Sequence, residues 1–216
     1  TCARIQELSS QVGKSPLMFQ SLYLLCFYNI IIAEHRAAKG LIEQMFECAG
    51  QDELLKNLAH YFFGWLMFTM GEFKTATTHL DKMIEFYDPA KHSTMAFSYV
   101  QDPGITCMAF SACVHWCLGY PEQAEKRMQQ AVTLAEKLGH PFTLVSILAI
   151  EGLMNILRRE VQGAFHSADK IVPLCEEKGF RLFLAVGIFK RGWAMTQEGE
   201  VQGRIALLKQ ALDGYL

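Results

Sequence analysis

Charge is scarce in this sequence and has no strong bias of sign. Of 216 residues, 20 are Lys or Arg and 22 are Asp or Glu, giving a net charge of −2. A face that replaces phosphate counterions needs a surplus of cations, so this balance, with an isoelectric point near 6.4, speaks against nucleic acid as a partner. Long apolar runs are missing too. The longest, residues 22–33, is interrupted by Asn29 and too short to span a bilayer, so no membrane association is expected. No signal peptide and no low-complexity linker are visible. The seven cysteines are odd in number and lack the spacing of a disulfide scaffold. Most fall among apolar residues, which predicts reduced, buried thiols and a cytoplasmic setting.

Motifs of catalysis are equally scarce. There is no HExxH, no nucleophile elbow and no paired-carboxylate motif, so no enzyme and no cofactor are expected from these residues. Val12-Gly13-Lys14-Ser15 ends like a phosphate-binding loop, but Leu8 stands where that loop needs its first glycine. Cys113, His115 and Cys117 invite a metal reading. On a helix, however, His115 points away from the face that the two cysteines share, so ordinary helix packing is expected and no metal.

What is present is a repeat. Residues 113–139 read as an apolar helix end, a Gly119-Tyr120-Pro121 turn and a second helix with Ala124, Met128, Ala131 and Leu134 on one face. Ala38, Ala76, Ala124, Ala164 and Arg204 occupy equivalent places in successive second helices. The period is about 40 residues, and two helices per unit at such a period predict an α-solenoid. Gly64, Ala112, Gly152 and Gly192 mark positions where helices can cross closely, and Gly71, Gly119 and Gly199 mark the turns.

In chain order, a helix is expected over residues 1–12. Hairpins then follow at 17–33/36–49, 52–70/73–86, 105–118/121–138, 141–157/161–178 and 181–198/201–215. Pro173 should kink the helix over 161–178. Residues 87–104 break the period and form an irregular insertion with Pro89, His92, Pro103 and Gly104. The whole of 1–216 reads as one all-α domain, a continuous stack. Because it starts at Thr1 and ends at Leu216 without a polar cap, it is expected to be a piece of a longer array.

Gly64, Gly71-Glu72-Phe73, Ala76 and Leu80, with Pro89 beyond them, match the sparse pattern of a tetratricopeptide repeat. Tyr87-Asp88-Pro89, His92, Ala96-Phe97, Gln101-Asp102-Pro103-Gly104 and Leu118-Gly119-Tyr120-Pro121 are more particular. With His140-Pro141-Phe142 and Arg191-Gly192-Trp193-Ala194, they resemble the tetratricopeptide-like region C-terminal to the ATPase module of large bacterial signalling proteins. Many of those begin with an adenylate/guanylate cyclase domain, others with a protein kinase domain. The resemblance covers nearly the whole chain. It departs in its repeat spacing, in Arg159 at a turn glycine and in Arg204 at a small position. It implies a right-handed superhelix of about five hairpins whose first helices line a concave groove.

Carried onto this sequence, that groove has one column at Phe27, Trp65, Cys113, Leu153 and Trp193. A second column runs through Tyr23, Tyr61, Ala109, Ala149 and Phe189. Tyr23, Phe27, Tyr61, Trp65, Phe189 and Trp193 are then the contacts for a partner helix or apolar peptide, which would make this a non-catalytic regulatory scaffold. The competing reading puts the same aromatics in the inter-helix core. Within the insertion, His92, Tyr99, Gln101 and Asp102 gather polar groups. They suit either a small-ligand sensor or structural capping, with Asp102 and Gln101 at the start of the helix near Ile105 and His92 satisfying backbone carbonyls. A third reading is the regulatory arm of an ATPase-type transcription regulator. Arg158-Arg159 and Lys190-Arg191 are expected on a solvated rim.

Overall fold

Helix starts are written into the sequence as proline and short acidic caps. Asp52 and Asp102 accept backbone N–H bonds from Leu55 at 3.1 Å and Ile105 at 2.9 Å, and Pro103, Pro121 and Pro141 occupy first-turn positions. In this computed structural model, which describes residues 16–197 and position 209, the described chain is all helical, with no strand. The helices are α1 (Pro16–Ile31), α2 (His35–Ala49), α3 (Glu53–Thr69), α4 (Phe73–Phe86), α5 (Pro89–His92), α6 (Met95–Ser98), α7 (Pro103–Cys117), α8 (Pro121–Leu138), α9 (Pro141–Leu157), α10 (Val161–Lys178) and α11 (Arg181–Gln197). The helices expected over 1–12 and 201–215, Cys2, Arg204, Gly199 and the Val12–Ser15 motif lie outside the described residues. The insertion resolves into the two short helices α5 and α6 with turns between them.

The chain divides into two compact units, with the boundary between Met95 and Ala96, inside the segment that breaks the repeat. In the first unit α1 pairs with α2, α3 with α4, and α1 also packs on α3. In the second, α7 pairs with α8 and α9 with α10, while α7 packs on α9 and α9 on α11. Within each unit, then, first helices pack on successive first helices and each second helix lies against its own first helix.

The two kinds of helix bury themselves differently. Second helices are amphipathic: α2 buries Ala38, Leu41, Ile42 and Met45, and α8 buries Ala124, Met128, Ala131 and Ala135, each under a polar outer face. First helices are apolar nearly all round and are packed on several sides. Burying one such large side chain stabilises the fold by about 1.5–3 kcal/mol. Close crossing depends on small residues. A side chain on Gly64 would meet Leu80 Cγ at 2.7 Å and the Leu80 backbone nitrogen at 3.1 Å, so α3 and α4 touch there in a way that only glycine allows.

The turns between paired helices share one geometry. Gly71 and Gly119 take φ of 79° and 87°, and Ala33 and Arg159, at the same place in the repeat, take 60° and 58°. In all four the next amide bonds back five residues, as in Glu72 N to Met67 O and Glu160 N to Asn155 O. α10 runs through Pro173, which is exposed, so water can reach the Asp169 carbonyl that loses its helical donor.

Candidate functional site

Exposed large apolar side chains on the long helices occur only on first helices among the described residues. They are Leu17, Leu24 and Tyr28 on α1, Leu153 and Leu157 on α9, and Phe189 on α11. In the second unit, Leu153 and Leu157 are one turn apart on α9, and Phe189 and the half-buried Trp193 one turn apart on the neighbouring α11. Ala149, one turn before Leu153 on α9, packs beside Val145 and Leu148 of the core. At the α9 end, Arg158 lies 5.4 Å over the Trp116 ring, with Glu125 and Glu160 as carboxylate partners. An apolar strip on first helices thus ends beside an ion-paired arginine.

The predicted groove columns are only partly realised. Phe189 is 48% exposed and Leu153 36%, whereas Tyr23 and Tyr61 are 1% and 0% exposed. Tyr23 and Tyr61 are core residues of the first unit: Tyr23 meets Phe62 edge-on at 4.6 Å, and Tyr61 stacks on Trp65 at 6.0 Å. Phe27 and Trp65 are half-buried and face each other edge-on at 5.5 Å, so that pair is less enclosed than Tyr23 and Tyr61. Cys113 and Ala109 are buried outright.

The insertion residues fall on both sides of the unit boundary. In the first unit His92 accepts a hydrogen bond from Asp88 N at 3.0 Å and stacks on Phe86. It serves a backbone N–H, where a bond to carbonyls was expected. In the second, Asp102 is fully buried and caps α7 through Ile105 N, while its own N–H donates to Thr143 Oγ1 at 2.9 Å. Thr143 Oγ1 in turn sits 2.9 Å from His140 Nδ1, the cap of α9, and burial lowers the pKa of His140. Gln101 is buried and Tyr99 half-buried beside this link. Capping therefore accounts for Asp102, and it ties the start of α7 to the start of α9.

Two features escape sequence reading. Lys190, expected on a solvated rim, is 4% exposed: its amine donates to the Ala149 carbonyl and its stem crosses over Gly152. Burial pulls its pKa down to about 7, against the opposing pull of Cys113 and Glu151. Cys113 is raised to about 12, first by burial and then by Cys117. The other feature is a pair of histidines in the first unit, His60 and His79, with Nδ1 atoms 2.9 Å apart. The one available signal for it was two histidines on paired helices. His115 lies on α7 with its Nδ1 donating to Ser111 O at 2.7 Å. No helix among the described residues is long and apolar enough to cross a membrane.

A concavity of about 1030 Å³ opens along α8, lined by Met108, Glu122, Glu125, Gln129 and Thr133 among others; it contains none of the residues predicted for a site. No protein-family model matches this sequence, and no curated protein matches it significantly.

Proposed function

We propose that this chain is a non-catalytic interaction module, a right-handed α-solenoid of tetratricopeptide-like hairpins that takes an amphipathic helix or apolar peptide against its first helices. The observation that carries this reading is the asymmetry of exposure. Among the described residues the long helices leave large apolar side chains in water only on first helices, and apolar surface gathered on one set of elements marks contacts. Leu153, Leu157, Phe189 and Trp193 are the anchors in the second unit, and Phe27 and Trp65 those in the first. The apolar anchors suit a helix that presents apolar residues one turn apart.

The sequence resemblance adds the wider setting: a regulatory region of a larger cytoplasmic signalling protein, in which a bound partner changes how neighbouring hairpins stack. The insertion draws less support as a ligand sensor, since Asp102 and His92 are already engaged by backbone groups. Capture from host lysate tests the reading. The wild-type chain should retain a protein that a folded Leu153→Ser/Phe189→Ser variant loses; equal retention by both would overturn it.

A further inference from the structure

The His60–His79 pair is the one place in the described chain where two metal-ligating nitrogens converge from different helices without a structural task that requires them. His60 lies on α3 and His79 on α4, and each ring is steadied by an aromatic neighbour. Phe46 meets His60 edge-on at 4.8 Å, and Phe63 lies 4.4 Å from His79. Both rings are half-buried, so water and ions can reach them. Lys82 Nζ stands 3.4 Å from His60 Nε2. An ammonium can only donate, so Nε2 accepts and His60 carries its proton on Nδ1, which donates to His79 Nδ1. The chain Lys82 to His60 to His79 thus runs in one direction.

The 2.9 Å between the two Nδ1 atoms is the length of the hydrogen bond that joins the rings, so it fixes no angle at an ion but shows that two imidazole nitrogens come within reach of one point. Neutral imidazoles suit borderline ions with nitrogen preference, and affinity for such ligands rises toward nickel(II) and copper(II). Hard oxygen-seeking ions such as magnesium and calcium gain little from two neutral nitrogens. We propose that His60 and His79 form a bis-imidazole site for one borderline divalent cation of the nickel or copper class, on the α3–α4 hairpin. Among the described residues no three His, Cys, Asp or Glu side chains gather around one point, so water completes the coordination.

Binding requires modest change. Each ring pivots about its soft terminal torsion so that the lone pair leaves the nitrogen–nitrogen line. His60 moves its proton from Nδ1 to Nε2, which turns that nitrogen into a donor facing Lys82. The exposed Lys82 then has to swing away, and its charge also opposes the incoming cation. Lys82 is thus a brake on the site.

Titration of the full chain, kept reduced, with nickel(II) tests this, read by calorimetry. One ion per chain is expected, with magnesium and calcium giving no heat. Affinity should fall at least tenfold in His60→Gln and in His79→Gln, and should rise severalfold in Lys82→Ala. Absence of stoichiometric binding, or binding of wild-type strength in either His variant, overturns the proposal. Should a His variant fail to fold, Lys82→Ala decides: tighter binding supports the site, and unchanged or weaker binding overturns it.

Discussion

The amine of Lys190 occupies the space that a side chain on Gly152 would fill: a Cβ there would stand 2.8 Å from Nζ and 2.9 Å from Cδ. A glycine on α9 therefore admits a lysine from α11 into the core between two first helices. Lys190 is charged when free at neutral pH and is held below that by burial. Its folded value, about 7, lies under its free value of 10.5, so between these pH values the unfolded chain binds the extra proton. Stability from this group accordingly rises with pH across that window and is flat below it. Lys190→Met removes the cost of burying the charge. The variant should be more stable at pH 7 by an amount on the order of a few kcal/mol, and it should lack this rise. Melting temperatures of both chains between pH 7 and 9 read the difference, since the titration of the other groups is common to both. A less stable variant with an unchanged pH slope would contradict it.

Arg159 holds the left-handed turn conformation that Gly71 and Gly119 hold in other hairpins. It is exposed, so its side chain gives little in return for the backbone strain. Arg159→Gly should stabilise the chain by about 0.5–1 kcal/mol, after the entropy that glycine adds to the unfolded state is subtracted. Chemical denaturation checks this, and a loss of stability would show that Arg159 has a task beyond the turn.

His140 caps α9 in its neutral form, accepting from Thr143 N at 3.3 Å. Burial lowers its pKa below the free value of 6.5. Its contribution is thus complete above about pH 6.5 and is lost as pH falls through the lower folded value. A protonated ring at a helix N-terminus also opposes the helix dipole. His140→Asn keeps a capping oxygen without a titration, and should lose less stability than wild type between pH 7 and 5. His60 and His79, also lowered by burial, leave a residual slope in both chains. Identical acid profiles would count against the cap.

Much of this architecture is legible in the sequence because its punctuation is local. Asp52, Asp102, Pro121, Pro141, Gly139 and Gly179 mark helix ends, and α4, α8, α9 and α10 span the residues expected of them. The turn at Arg159 is equally legible, since the repeat assigns it a glycine's place. Orientation of the first helices is not. A helix apolar on every side has no polar face to fix its rotation, so Tyr23 and Tyr61 read as groove residues although they are core. Lys190 is hidden for the converse reason: a lone lysine beside Arg191 looks solvated until Gly152, distant in sequence, is seen to make room for it. The His60–His79 pair depends on the rotation of both α3 and α4, which no spacing in the sequence reveals.

The central claim is that a partner is held by first helices and not by second ones. Amide hydrogen exchange on the complex with a captured partner tests it most directly. The account predicts slowed exchange in α9 and α11 around Leu153, Leu157, Phe189 and Trp193, with α8 and α10 unchanged. Slowing confined to α8 and α10, with α9 and α11 unaffected, would contradict it.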